Sequence, residues 1–403
     1  MKNISIPFKA WYGDEQFILE FPDNWEIQEY NMVDAPPIPI NEIEKAFYNP
    51  IGSKRISELV RGKTTAAIAV EDMTRPSPLE DILQLILKEL KIGGIEDKNI
   101  KIIISTGGHR PLLQDDLIKK LGREIVKRCD IYNHNPFENL STLHGIRINR
   151  FFLEAEFKIV VGSVIPHPFA GFSGGAKIVS PGLTGIEWLV RSHKSVLMGL
   201  KGSIGVVEGN KFRAELEQIA KNIGVDIGIN IVPNSKRQIA KVVAGDIVEA
   251  HREAVRFARE IYMTKIPHQA DVVILNAYPK DTELLQSENA FDFYRSANDS
   301  IIKQNGVVIL ISACSLGRGY HALFEPGMQL YRLPGKKRFL GDKRLFFFSP
   351  YINHLDFCKV FWSDYFFFDN WQKLITELKK IYPDNCQIAI FPYSSIQLAQ
   401  NEG

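Results

Sequence analysis

The run Thr65-Ala66-Ala67-Ile68-Ala69-Val70 is apolar without alternation, the pattern of a strand covered on both faces. Helical spacing follows over 78–90, with Ile82, Leu83, Ile86, Leu87 and Leu90 on one side and a stop near Gly93-Gly94. Residues 100–104 predict a second strand, 112–127 a second helix and 158–162 a third strand. This alternation predicts a parallel sheet with helices on both faces. A polar helix over about 246–265 carries Ile247, Ala250, Val255 and Ala258 on its apolar side and reads as a link. Beyond it the pattern restarts, with strands at 271–275 and 306–311 and a helix from roughly Glu283. The first thirty residues differ. Phe17 to Phe21 alternate between turn signals at Gly13-Asp14 and Pro22-Asp23-Asn24, as in a small β unit. The expected class is therefore α/β, with two α/β domains, mainly parallel sheets and linking helices. The expected boundaries are 1–249 for the first domain, including the β unit, 250–268 for the link and 269–403 for a smaller second domain. The last residues are expected to return to the first domain.

Composition narrows the function. The chain has 403 residues, enough for more than one core, and a net charge of only +2. Neither nucleic acid nor a membrane surface is an expected partner. No stretch reaches the roughly 18–20 uncharged residues of a membrane helix, and the start, MKNISIPFKAWYGDE, has no apolar signal core. Cys129, Cys314, Cys358 and Cys386 lie far apart without CxxC spacing, which argues against a zinc knuckle or a disulfide scaffold. The expected location is the cytoplasm.

Open α/β sheets bind ligands beyond the carboxyl ends of their strands. Those positions here carry Glu71-Asp72-Met73-Thr74-Arg75-Pro76, then Thr106-Gly107-Gly108-His109-Arg110-Pro111, then Pro166-His167-Pro168. Taken singly, Thr74 to Pro78 is a helix cap and a histidine beside glycines is a turn residue. Their coincidence on successive strand ends points to a site. The densest segment is Gly171-Phe172-Ser173-Gly174-Gly175-Ala176-Lys177, with His193 beyond. Ser173, Gly174 and Gly175 are expected to close backbone N–H groups around an anion, with Lys177 nearby. The segment is no P-loop, because Ile178 follows Lys177, and GxGxxG does not occur in it.

With these motifs assembled, EDMTRPSP at 71–78, TGGHRP at 106–111 and HPFAGFSGGAKIVSPG at 167–182, the chain resembles the nickel-pincer-nucleotide lactate racemase family over nearly its whole length. The resemblance implies a 2-hydroxy acid racemase or epimerase, an isomerase that works by hydride transfer. It implies a modified nicotinic acid mononucleotide carrying nickel, attached covalently at Lys177, with His193 as the protein's nickel ligand. Imidazole suits nickel, and a pincer plus one nitrogen favours square-planar geometry. His109 and His167 match the two catalytic histidines. Asp72, Thr74 and Arg75 match the loop around the cofactor phosphate and the substrate. Gln286, after Ala277-Tyr278-Pro279-Lys280-Asp281, matches a substrate residue of the second domain, which is expected to close over a site in the interdomain cleft. Proteins that build the cofactor are implied partners.

The chemistry explains the residue types. The C2 proton of a 2-hydroxy acid is poorly acidic beside a carboxylate, so hydride removal is the easier route. Each enantiomer presents its hydroxyl to a different side, which calls for two bases near neutral pKa. Arg75 suits a two-pronged grip on the carboxylate. One departure stands out: Asn289 occupies the position where lactate racemases carry a lysine, and Leu285 one where an aromatic is usual. This predicts a longer or hydroxylated 2-hydroxy acid in place of lactate. Competing readings are a sugar-acid epimerase with the same cofactor, a non-catalytic nucleotide or small-acid binder, and a zinc hydrolase on His109, His167 and His193. Retention of Lys177 with His193 argues against the binder, and the lack of HExxH against the hydrolase. His134, His144, His251, His268 and His354 have no motif context; His321, after Gly317-Arg318-Gly319-Tyr320, is the exception among the remaining histidines.

Overall fold

The apolar run forms the strand Ala66–Glu71, every side chain of it buried, in a computed structural model that describes residues 1–197, 204–266, 269–297 and 300–400. Parallel neighbours lie on both sides, Ile100–Ser105 and Phe157–Ser163. The six-stranded sheet runs Ile239–Gly245, Ile227–Pro233, Phe157–Ser163, Ala66–Glu71, Ile100–Ser105, Asp130–Asn133. Only Ile239–Gly245 is antiparallel. From Ala66–Glu71 the chain moves first to Ile100–Ser105 and later fills the opposite side with Phe157–Ser163. Strand order therefore reverses at this strand, and its carboxyl end is the crevice where open α/β sheets take ligands. The helix expected over 78–90 spans Glu80–Ile92. The helix expected over 112–127 is broken into Gln114–Leu121 and Arg123–Arg128, because Gly122 sits at φ 89°, where a helix cannot continue.

The chain divides into two compact units, each with its own sheet. One comprises Ala35–Ile261 and His321–Tyr331. The other comprises Met1–Asp34, Tyr262–Tyr320 and Arg332–Gly403. Its six strands are parallel throughout, in the order Phe366–Phe368, Arg344–Phe348, Ile302–Ile311, Ala270–Asn276, Gln387–Phe391, Glu26–Glu29.

This partition differs from the expected boundaries in three places. The N-terminal β unit groups with the C-terminal part of the chain. Its hairpin, Lys2–Phe8 with Glu15–Phe21, buries Ile6, Phe8, Leu19 and Phe21 against Ile274, Ile309 and Phe348 and beside the helix Trp371–Ile381. At about 1.5–3 kcal/mol for each fully buried large side chain, that face decides where the hairpin docks. Glu26–Glu29 then extends the sheet edge. Second, the linking helix is Glu249–Tyr262 and ends where Met263–Lys265 starts a strand; His268 lies outside the described residues. Third, the closing strand Leu398–Gln400 pairs with Met263–Lys265 and so stays in its own unit.

Beneath the crevice, Lys120 Nζ lies 2.8 Å from Glu71 Oε1 and donates also to the carbonyls of Arg75 and Ser77, at 2.9 and 2.8 Å. Glu71 in turn accepts from Ser163 Oγ at 2.6 Å and from the Ser163 amide. Burial lowers the Lys120 pKa, opposed by the Glu71 charge. Lys120→Met strands a buried carboxylate, which costs about 3–5 kcal/mol. The expected result is a clear drop in the urea midpoint of this unit, with much of the loss recovered in the double variant Lys120→Met/Glu71→Gln. An unchanged midpoint for the single variant contradicts this account.

Candidate active site

The first loop beyond the central strand turns back on its own aspartate. Thr74 donates to Asp72 Oδ1 through its amide and its hydroxyl, at 2.9 and 2.5 Å. Arg75 Nη1 donates to Thr74 Oγ1 at 3.0 Å, which holds the guanidinium beside the carboxylate. The other carboxylate oxygen, Oδ2, accepts from His109 Nδ1 at 2.6 Å. Burial alone raises the Asp72 pKa; His109, Arg75 and the Thr74 hydroxyl outweigh it and hold the group well below the usual carboxylate range. Asp72 is thus an anion at any working pH. It keeps the His109 proton on Nδ1 and leaves a lone pair on Nε2.

His109 reaches this position through a glycine turn. Gly107 adopts φ 56° and donates to the Gly182 carbonyl at 3.0 Å, and the His109 amide donates to Thr106 O at 2.9 Å. His167 lies on a small hairpin, Pro166–His167 against Gly171–Phe172. Its Nδ1 accepts from the amides of Phe169 and Ala170, both at 3.2 Å. Nδ1 is therefore the acceptor and the proton sits on Nε2, the tautomer opposite to that of His109.

The segment around Lys177 is closed onto protein. Ser173 Oγ donates to Ser163 O at 2.6 Å and accepts from the Ile165 amide at 3.1 Å. The Gly175 amide donates to Asn230 Oδ1 at 3.1 Å. The fully buried Arg213 spans the carbonyls of Phe172 and Gly174, and His251 Nε2 donates to Ser173 O at 2.9 Å. The expected anion-closing role is thus corrected for Ser173 and Gly175: the Ser173 amide and hydroxyl and the Gly175 amide are spent within the fold, and a Cβ at Gly175 would meet Arg213 and His251 at 2.9 Å. The segment serves to fix Lys177, which follows in the short helix Gly175–Ile178.

His193 stands on the helix Ile186–Leu197 and donates from Nδ1 to Leu189 O, one turn earlier, at 2.8 Å. Its Nε2 lone pair is left for a ligand. Burial pushes its pKa down to about 4, with the Lys177 and His109 charges adding. Phe169 lies edge-on to both His167 and His193, at 5.8 and 6.3 Å between ring centres. Asp72, Thr74, Arg75, His109, Lys177 and His193 are thus brought to one rim, with His167 joined through Phe169.

The chain adds a residue that the motifs alone did not place there. His321 re-enters this unit with residues 321–331 and lies edge-on to His109 at 5.1 Å and to His193 at 6.0 Å. Its pKa falls well below the usual value through burial, with His109 and His193 adding. The glycine-rich run before it was the only signal in the sequence. Of the other histidines, His144 and His354 are exposed, while His134 and His251 are buried and donate to the carbonyls of Thr184 and Ser173. Gln286 and Asn289 belong to the other unit, where Asn289 Nδ2 donates to Gln286 O at 2.7 Å and to its side-chain oxygen at 3.2 Å. Among the described residues no three His, Cys, Asp or Glu side chains form a metal-holding group, so a zinc hydrolase site on His109, His167 and His193 is not assembled. No described helix is long and apolar enough to cross a membrane.

Comparison with known proteins identifies the family and the fold. Residues 12–204 match the lactate racemase N-terminal domain. A lactate racemase of Thermoanaerobacterium thermosaccharolyticum is 31% identical over 341 residues, covering 81% of this chain and 78% of the relative. That of Lactiplantibacillus plantarum is 29% identical over 299 residues, covering 70% and 69%. The fold is shared with the solved lactate racemase apoprotein of T. thermosaccharolyticum, with a TM-score of 0.78 at 24% identity over 99% of this chain and 100% of that one. It is shared more loosely with a Thermotoga maritima protein, at a TM-score of 0.62 and 17% identity over 91% and 99%. On the strength of its sequence relatives the chain belongs to the lactate racemase family, and it is a racemase, hence an isomerase.

Proposed function

We propose that this racemase inverts C2 of a 2-hydroxy acid by reversible hydride transfer, using a nickel-bearing nicotinic acid nucleotide attached at Lys177. The observation that carries this reading is the pairing of tautomers: His109 offers a lone pair at Nε2, and His167 a proton at Nε2. An inversion that takes a hydroxyl proton on one side and returns one on the other starts from that state.

The residues fit the cofactor. His193 presents one imidazole lone pair, and no protein cluster among the described residues completes a metal site, which suits a nickel whose other donors belong to an organic group. Lys177 lies within electrostatic range of His193. When bound, the group supplies an acceptor that takes hydride from C2 and gives it back to either face.

The chain's own residues do the rest. His109 Nε2 takes the hydroxyl proton of one enantiomer, and Asp72 stabilises the imidazolium that results. His167 Nε2–H returns a proton to the oxygen on the other side. Arg75, steadied by Thr74, pairs with the carboxylate. Ser173, Gly174 and Gly175 fix the backbone that presents Lys177. Gln286 and Asn289 contribute to substrate choice, and Asn289 in place of a cation favours a longer or hydroxylated acid over lactate.

Protein made in a host with the cofactor-building enzymes is expected to carry added mass on the Lys177 peptide and to contain nickel. Lys177→Ala loses the added mass, and His193→Ala loses the nickel. Substrate deuterated at C2 should racemise in ordinary water with the deuterium retained. Complete washout to solvent overturns hydride transfer. An unmodified Lys177 in such a host contradicts the cofactor reading.

Asp72→Asn removes the anion that orients and supports His109. The expected loss in kcat is about 10²–10⁴-fold, the usual span for a positioned acid–base group. Stability follows the same carboxylate. Its native pKa is depressed, so its contribution is full above the unfolded value of about 4 and disappears as pH falls toward the native value. Acid unfolding monitored by far-UV circular dichroism should begin from a lower plateau in Asp72→Asn and fall less steeply below pH 4. A curve parallel to wild type contradicts the assignment.

A further inference from the structure

His321 is the one imidazole at the rim that the proposed reaction leaves without a task, and its setting is built. The segment 321–331 is clamped to the elements that carry His109 and His193. The Ala322 amide donates to Gly108 O at 2.7 Å, and His109 and His321 form an antiparallel bridge. Leu323 and Leu330 pack with Leu189 and Val190 of the His193 helix, and Lys194 donates to Gln329 at 3.0 Å. The ring stacks on Phe324 at 4.6 Å. A Cβ at position 108 would lie 2.8 Å from His321 Cε1, so the second glycine of the TGGHRP motif makes room for this ring.

The tautomer is set by the backbone. His321 Nδ1 accepts from the Leu323 amide at 3.2 Å, so the proton is on Nε2. Among the described residues that N–H has no hydrogen-bond partner, although the ring is only 7% exposed and lies between two site histidines. A donor of this kind at a binding rim selects for an acceptor on the ligand. In the proposed reaction His109 and His167 serve the C2 oxygen and Arg75 the carboxylate. The donor that remains matches an oxygen further along the acid.

We infer that His321 is a specificity-determining residue whose Nε2–H donates a hydrogen bond to an oxygen on C3 of the substrate, so that the enzyme prefers 2,3-dihydroxy acids to unsubstituted ones. This rests on the 2-hydroxy acid reading above.

Racemic glycerate and racemic lactate differ by that one oxygen, and racemic acids undergo no net turnover. Their equilibrium affinities for the nickel-loaded enzyme, measured by titration calorimetry, give the test. Wild type should bind glycerate about 3–10-fold more tightly than lactate, the worth of one neutral hydrogen bond. His321→Phe keeps the stacking on Phe324 and removes the donor, and should bring the ratio close to one with lactate affinity unchanged. His321→Gln restores an N–H and should keep the ratio within about twofold of wild type. His321→Met stands in if the Phe variant does not fold, with circular dichroism and nickel content checked on each sample. A ratio unchanged in His321→Phe, or an equal loss for both acids, overturns the inference while leaving the proposed reaction standing. Failure of loaded wild type to bind either acid overturns both.

Discussion

The buried pair of Glu71 and Lys120 holds the site together. Neither side chain is more than 2% exposed. Glu71 ends the central strand; Lys120 lies on the helix that follows the His109 loop and also binds the carbonyls of Arg75 and Ser77. The far side of the carboxylate is held by Ser163, at the end of the strand that leads to His167. One ion pair thus ties together three segments whose tips carry the chemistry. Such pairs are weak sources of net stability, because desolvating two charges offsets their attraction. Their strength is geometric: every partner must be in place for the charges to be tolerated. Asp72, Arg75 and His109 are placed relative to one another by that requirement.

A second constraint acts on the imidazoles. Each of the four rings at the rim has its proton assigned by a neighbour that it cannot renegotiate: a carboxylate for His109, main-chain amides for His167 and His321, and a helix carbonyl for His193. Two rings present lone pairs and two present protons. Burial keeps His193 and His321 from gaining charge, so the proton assignments of these two rings persist across the physiological range. Ring roles are therefore settled before any ligand arrives, and less reorganisation is needed when one does.

The Lys177 segment relies on a polar network that lies deeper still. Arg213 caps two of its carbonyls and is itself paired with Glu217, which also binds Arg252. His251 takes the carbonyl of Ser173, and Asn210 that of Phe169. A loop so thoroughly bonded has little freedom to close around an anion. It is suited to presenting one side chain at a fixed place.

The sequence by itself determined the alternation of apolar runs and helical spacings, and with it the α/β class and the strand ends that carry Asp72, His109 and His167. These follow from local periodicity and from short motifs, which need no partner to be read. The break at Gly122 was legible only as a glycine within a helical pattern, because its positive φ depends on how the next helix packs. The strands Ile227–Pro233 and Ile239–Gly245 are largely apolar, but their place in the sheet is set only by pairing with each other and with Phe157–Ser163. Tertiary structure decided the rest. The N-terminal hairpin docks on the C-terminal unit because the apolar face that matches Phe8 and Phe21 is made by residues more than 250 positions away. Ser173 and Gly175 turn inward because His251 and Asn230, distant in sequence, satisfy the Ser173 carbonyl and the Gly175 amide. His321 joins His109 and His193 because eleven residues return to the first unit, and no local pattern encodes where a chain comes back.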